Sequence, residues 1–162
     1  MSLENVREHL ERLGLGERLI KRELTGATVS QAAIAIGCAP EHIAKTMSFV
    51  VNGNPILVVT AGDAKIDNRK YKDHFSEKAI MVPSDQVETL IGHAPGSVCP
   101  FGIHEKVQVF LDVSLKRFDT VYTAGGCTHH TVTLRLDELE AFSDHSGWVD
   151  VCKGWHLTEI NS

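Results

Sequence analysis

Two β-branched runs, "KTMSFVV" at 45 to 51 and "PILVVTA" at 55 to 61, are separated only by "NGN", and this constrains the chain more than any other feature. Asn-Gly supplies the positive φ angles of a tight turn, so the two runs are expected to fold back on each other as an antiparallel hairpin.

Further strands are predicted at "ERLIKREL", "AIMVP", "KVQVFLDVSL", "DTVYTAG", "HTVTLRL" and "GWVDVC". Helices fall between them. Leu3, Val6, Leu10 and Leu13 form one apolar stripe between a Ser2 cap and a Gly14 stop. "TVSQAAIAIGC" has Ser30 as its cap, Pro40 opens a short turn, "DNRKYKDHF" reads as an exposed helix, "SDQVETLIG" is capped by Ser84 or Asp85, and "DELEAFS" is short. Strands outnumber helices and many are joined by short turns, so the fold class is α+β: a mixed or antiparallel sheet with helices on its outside, curled toward a barrel.

At 162 residues, with 43% apolar and 23% charged positions, the chain suits a single domain over 1–162 with a packed core. No apolar run approaches membrane-spanning length and the opening "MSLENVREHL" lacks the marks of a signal peptide, so a cytoplasmic location is expected, with no membrane partner. Cys38, Cys99, Cys127 and Cys152 form no CxxC pair and are expected to be reduced and buried. A net charge of −5 excludes a generally basic surface, and with it extended DNA binding; nucleic-acid contact must be confined to a local patch.

Candidate chemistry begins in "APGSVCPFG" at 94 to 102. Gly96 and Gly102 free the backbone and leave its N–H groups open, while Pro95 and Pro100 stiffen it, so the segment is either a helix-to-strand connector or a cradle for a carbonyl oxygen. Cys99 within it reads as packing or pocket lining rather than as a nucleophile, because His104, five residues on, lies beyond Gly102 and no recognisable Cys/His arrangement surrounds it in the sequence. Lys45 shares a strand face with Met47 and Phe49, with Thr46 and Ser48 opposite; it either snorkels to water or stands as a cation at a pocket mouth. In "GGCTHHTV" at 125 to 132, one of His129 and His130 should face the sheet's inner side and the other away. Together with Cys127, Cys152 and His156 they raise zinc as an alternative, although the spacing lacks paired cysteine knuckles. The cations Lys65, Arg69, Lys70 and Lys72 read as a solvated helix face or a short track for a phosphate backbone.

"IAKTMSFVVNGNPILVVTAGD", "GSVCPFG" and "VYTAGG", in that order, resemble the YbaK/prolyl-tRNA synthetase-associated domain family, from the first helix through "WVDV". The resemblance implies a mixed, partly closed, barrel-like sheet surrounded by helices, and hydrolysis of misacylated tRNA in trans without metal, cofactor or covalent enzyme intermediate. It implies that Lys45 is the family's essential lysine, anchoring the terminal nucleotide or its phosphate. Gly96 to Pro100 match the family's GxxxP loop, so that the loop of Gly96, Ser97, Val98, Cys99, Pro100, Phe101 and Gly102 would hold the ester carbonyl through its main-chain N–H groups, of which Pro100 has none.

Gly126 to His129 fit the GxxH pattern of members that prefer alanine, and His130 follows directly, leaving open which imidazole enters the pocket. On this resemblance Thr46, Met47, Val98 and one of the two histidines shape a site for a small amino acid, alanine, serine or cysteine. The partners implied are the 3′ acceptor end of aminoacyl-tRNA and an aminoacyl-tRNA synthetase. A non-catalytic module of the same fold, binding aminoacyl-tRNA or a nucleotide, is the alternative.

Overall fold

The computed structural model describes residues 2–143 and 145–155. The hairpin is formed as expected: β2 (Ala44–Val51) and β3 (Asn54–Ala61) pair antiparallel, and the turn places Asn52 and Gly53 at φ 52° and 78°. Next to β3 lies β5 (Gln108–Asp112), parallel to it, and beyond that β8 (Gly147–Val149), again parallel. Leu57, Val58 and Val59 of β3 are wholly buried, as an unbroken apolar run requires of a strand covered on both faces.

A second sheet has the order β1 (Leu19–Lys21), β7 (His130–Arg135), β6 (Thr120–Ala124), all antiparallel. A third pairs β4 (Lys65–Ile66) with β9 (Cys152–Lys153). One parallel bridge, Ile43 to Tyr122, joins the first two sheets. Because β1 and β8 end the two sheets without pairing, the sheet does not close; the barrel expected from the sequence is corrected to an open, mixed arrangement. The α+β class stands.

Among the described residues five helices pack on these sheets: α1 (Ser2–Arg12), α2 (Val29–Ile36), α3 (Asn68–Phe75), α4 (Ser84–Ile91) and α5 (Leu136–Phe142). Their ends differ from the sequence reading in informative ways. Thr28, not Ser30, caps α2, accepting the Gln31 N–H, and α4 starts after Pro83 with no side-chain cap from Ser84 or Asp85. Ser2 is the first helical residue of α1 and its hydroxyl leaves the helix, meeting His93 Nδ1 and donating to the Gly126 carbonyl at 2.7 Å. Asp67 caps α3, whose Tyr71 is wholly buried against Phe49 and Phe75, so this helix is not simply exposed.

Three strands are shorter than expected. "ERLIKREL" is extended only at β1; β5 ends where the Asp112 carboxylate accepts the Ser114 N–H and starts a 3-10 turn; and "GWVDVC" divides into β8 and β9. "AIMVP" is not a buried strand. It touches β2 through two backbone bonds, Val50 to Ile80 and Val82 to Ser48, and Ile80 and Met81 are more than half exposed.

Candidate functional site

The outer edge of β2, the one away from β3, is covered at its start by the bridge to Tyr122 and near its end by the 80–82 segment. Between those two attachments no described residue hydrogen-bonds to the edge. The backbone groups of Ser48 and Val50 point away from β3, and strand alternation turns those of Thr46 the same way, into the gap. A cavity of about 250 Å³ lies there.

Its long wall is β2 from Ile43 to Ser48, which includes Lys45, Thr46 and Met47. Because an edge rather than a face forms this wall, residues of both alternations line it. Opposite stand Tyr122, Thr123, Ala124, His130 and Thr131 from β6 and β7, the segment Gly26–Thr28, and Pro95, Gly96 and Val98. Thr46 Oγ1 is buried with no hydrogen-bond partner among the described residues, a cost that a bound polar group would remove.

Lys45 is half-buried on this wall and donates through Nζ to the Ala64 carbonyl at 2.5 Å. It does not snorkel freely to water. Burial lowers its pKa below the usual lysine value, while Cys152 and Asp63 act in the opposite sense.

Gly96 sits at φ 84°, where a Cβ would approach Ala27 Cβ to 3.3 Å and Ala27 O to 3.4 Å. Ser97 N–H turns back to the Ala94 carbonyl, whereas among the described residues neither Gly96 N–H nor Val98 N–H is hydrogen-bonded. The loop beyond Val98 does not reach the cavity, which corrects the wider cradle expected from the sequence. Cys99 and Phe101 are wholly buried, Pro100 is buried and Ser97 nearly so; none of them lines the cavity. Burial pushes the Cys99 thiol up to about 12, which favours the neutral thiol; its Sγ lies 3.7 Å from His93 Nε2 and donates weakly to the Phe101 carbonyl, so it is packed behind the loop. Gly102 gives its N–H to His9 Nδ1 of α1 at 3.1 Å. His93 is buried behind the loop, its Nε2 at 2.7 Å from the Phe101 carbonyl. The loop's far half is therefore a root held by α1, and only its tip, 95 to 98, faces the cavity.

The adjacent histidines separate where the turn ending at His129 meets the start of β7. His130 lines the cavity; His129 is exposed and its carbonyl accepts the Arg22 N–H at 2.6 Å. Cys127 Sγ lies 2.9 Å from His130 Nδ1. Burial, helped by the positive charges of Arg7, Lys21 and His129, lowers the His130 pKa and favours the neutral imidazole.

Among the described residues no three His, Cys, Asp or Glu side chains gather as metal ligands; Cys152 is buried in β9, and His156 lies outside the described residues. Cys38 and Cys127 are only partly buried, unlike Cys99 and Cys152, and all four thiols are free. Lys70 of the basic run reaches Asp150 and the Cys152 carbonyl. Sequence reading missed Gly26–Thr28, Tyr122, Thr123 and Thr131. Tyr122 and Thr131 had a signal in the alternation of their strands; Gly26–Thr28 had none.

Residues 25–142 match the profile of the aminoacyl-tRNA editing domain. The chain is 45% identical over 156 residues to the uncharacterized protein YwhH of Bacillus subtilis strain 168, covering 96% of this chain and 99% of that one. It is 28% identical over 123 residues to the proline--tRNA ligase of Nitratidesulfovibrio vulgaris strain Hildenborough, a match covering 72% of this chain and 21% of the ligase. A solved structure described as a candidate trans-editing enzyme for prolyl tRNA synthetase aligns with a TM-score of 0.84 at 25% identity, covering 94% of this chain and 98% of its own.

Proposed function

The chain belongs to the aminoacyl-tRNA editing domain family, and on that premise we propose that it deacylates tRNA carrying a wrongly attached small amino acid: alanine, serine or cysteine. The observation that carries the reading is the cavity itself, lined by the Thr46–Ser48 strand edge, by Thr46, whose hydroxyl has no partner among the described residues, and by Gly96 and Val98, whose amides have none there either. At about 250 Å³ it lies below the range of pockets for drug-sized ligands, and suits a short side chain on an ester-bearing sugar. Met47, Val98 and His130 bound it. Each added methylene that fails to fit costs about 1–3 kcal/mol, so a small sieve rejects the larger, correct amino acid that a synthetase cannot separate from smaller ones by fit alone.

In the proposed reaction, water attacks the ester carbonyl and the oxyanion takes hydrogen bonds from the amides of Gly96 and Val98. The acyl C–O bond then breaks toward the ribose oxygen, which takes up a proton, leaving free amino acid and tRNA. The substrate's free amine takes the water's proton, directly or relayed through the neighbouring ribose hydroxyl, and passes it to the departing ribose oxygen. Lys45 anchors the terminal nucleotide.

A deacylation screen over alanyl-, seryl- and cysteinyl-tRNA tests this. The native chain is expected to release at least one of these amino acids, and Lys45→Ala to lower kcat/KM about tenfold or more, the loss of one charge-assisted hydrogen bond. No turnover by the native chain on any of them would replace catalysis with the binding-module reading.

The Cys127 thiol is expected to orient the His130 ring by donating to Nδ1. Cys127→Ala should then lower turnover by a few-fold and Cys127→Ser should retain it. A donor to Nδ1 stabilises the neutral imidazole, so its removal raises the His130 pKa and moves the acid limb of the pH–rate profile to higher pH. An unchanged profile in Cys127→Ala would exclude this orienting role.

A further inference from the structure

Most arginines among the described residues are neutralised: Arg12 by Glu8, Arg18 by Glu138, Arg117 by Asp63 and Arg135 by Asp137. Among the described residues Arg7 and Arg22 have no carboxylate within ion-pair distance, nor has Lys21, and their neighbour Glu23 pairs with none of them. These three cations stand around the β7 wall of the cavity, Lys21 and Arg22 on opposite faces of the β1–β7 pairing. Lys21 is the cross-strand partner of His130, and Arg22 Nε donates to Thr131 Oγ1 at 3.0 Å; both partners line the cavity. Arg22 N–H also holds the carbonyl of exposed His129. Arg7 follows Val6, whose side chain packs on Gly126 so closely that a Cβ there would come within 2.9 Å of it. Arg7 and Lys21 are solvent-exposed. Their charges reach His130, and each disfavours its protonation.

We propose that Arg7, Lys21 and Arg22, with His129 among them, form a phosphodiester-binding rim that seats the RNA strand whose 3′ end enters the cavity. The inference rests on the proposed deacylase reading for the identity of the strand. Unpaired guanidinium and ammonium groups are the donors that phosphate oxygens take, and the guanidinium fork can bind two oxygens at once. A chain of net charge −5 repels a broad anionic surface such as a lipid bilayer, but a single strand needs only a narrow run of cations. His129, which stands outside the cavity, acquires a place in this rim.

The test is binding of a labelled RNA minihelix ending in CCA, measured between 50 and 200 mM salt. Each phosphate contact on a single strand contributes about 0.7 to the slope of log K against log salt. Arg7→Gln/Lys21→Gln, a double variant whose side chains make no hydrogen bond to give up, should flatten that slope by about 1.4 and weaken binding about tenfold at the lower salt. Adding Arg22→Gln should flatten it further, while Arg69→Gln on α3 should leave it as in the native chain. On charged substrates, the double variant should lose about tenfold more kcat/KM with aminoacyl-tRNA than with aminoacyl-adenosine, which lacks the phosphates. Native affinity and slope in the double variant would overturn the rim. So would a loss confined to anionic phosphatidylserine vesicles with RNA binding intact. If the native chain hydrolyses no aminoacyl-tRNA yet binds the minihelix with the slopes above, the deacylase reading fails and the rim stands.

Discussion

Gly96→Val is expected to lower kcat/KM for deacylation by about 10²–10³-fold while leaving the fold intact, the range found when a donor to a developing oxyanion is lost. Two effects coincide at this position. The φ of 84° is strained for any β-branched residue, and the added Cβ would press on Ala27 Cβ and O at 3.3 and 3.4 Å. Relief of either moves the tip of the loop, and with it the free amides of Gly96 and Val98. The loop's root, packed through Cys99, Phe101 and Gly102, stays in place, so the unfolding midpoint should change little. Single-turnover release of the amino acid, read beside thermal unfolding, separates the two. Wild-type rates in a folded Gly96→Val would remove the loop tip from the chemistry.

Gly62→Ala should have the largest effect on stability, about 3 kcal/mol. Gly62 follows β3, and a Cβ there would lie 2.0 Å from the Pro40 carbonyl oxygen and 3.0 Å from Val29 Cγ1. No rotamer relieves an overlap with backbone, so the 3-10 turn Pro40–His42 has to leave the end of β3. The strand β2 begins just after that turn, and Ala64, whose carbonyl holds the Lys45 ammonium, is two residues past the glycine. The same substitution should therefore disturb the Lys45 end of the cavity. Equilibrium urea unfolding checks the prediction; a native midpoint would show that the turn yields without cost.

The hairpin was legible because its signal is local: Asn52 and Gly53 need left-handed φ and nothing distant competes. The cap of α2 was misread by two positions because Thr28 and Ser30 offer the same chemistry, and only the backbone decides between them. Lys45 stood out because a charge in a β-branched strand is anomalous wherever the strand lies. In the 94 to 102 loop the glycines and prolines announced stiffness, but a loop has no periodicity from which side-chain direction can be read. The division between a cavity-facing tip and a buried root therefore awaited the packing of α1 through His9 and Ser2. Barrel closure failed for a similar reason, since whether β1 meets β8 depends on the curvature of the whole arrangement. Gly26–Thr28 reaches the site through tertiary contact, Gly26 N–H bonding the Thr128 carbonyl at 2.6 Å.

Every residue on the wall of the cavity falls between Gly26 and Thr131, inside the span shared with the editing-domain profile, yet the helix Ser2–Arg12 that braces the loop from behind falls outside it. The matched profile and the mechanical support thus have different borders. A graft of the shared span into another scaffold would transplant the cavity wall without its abutment, and without Arg7, Lys21 and Arg22, leaving the Gly102 amide and the His93 ring to find new neighbours.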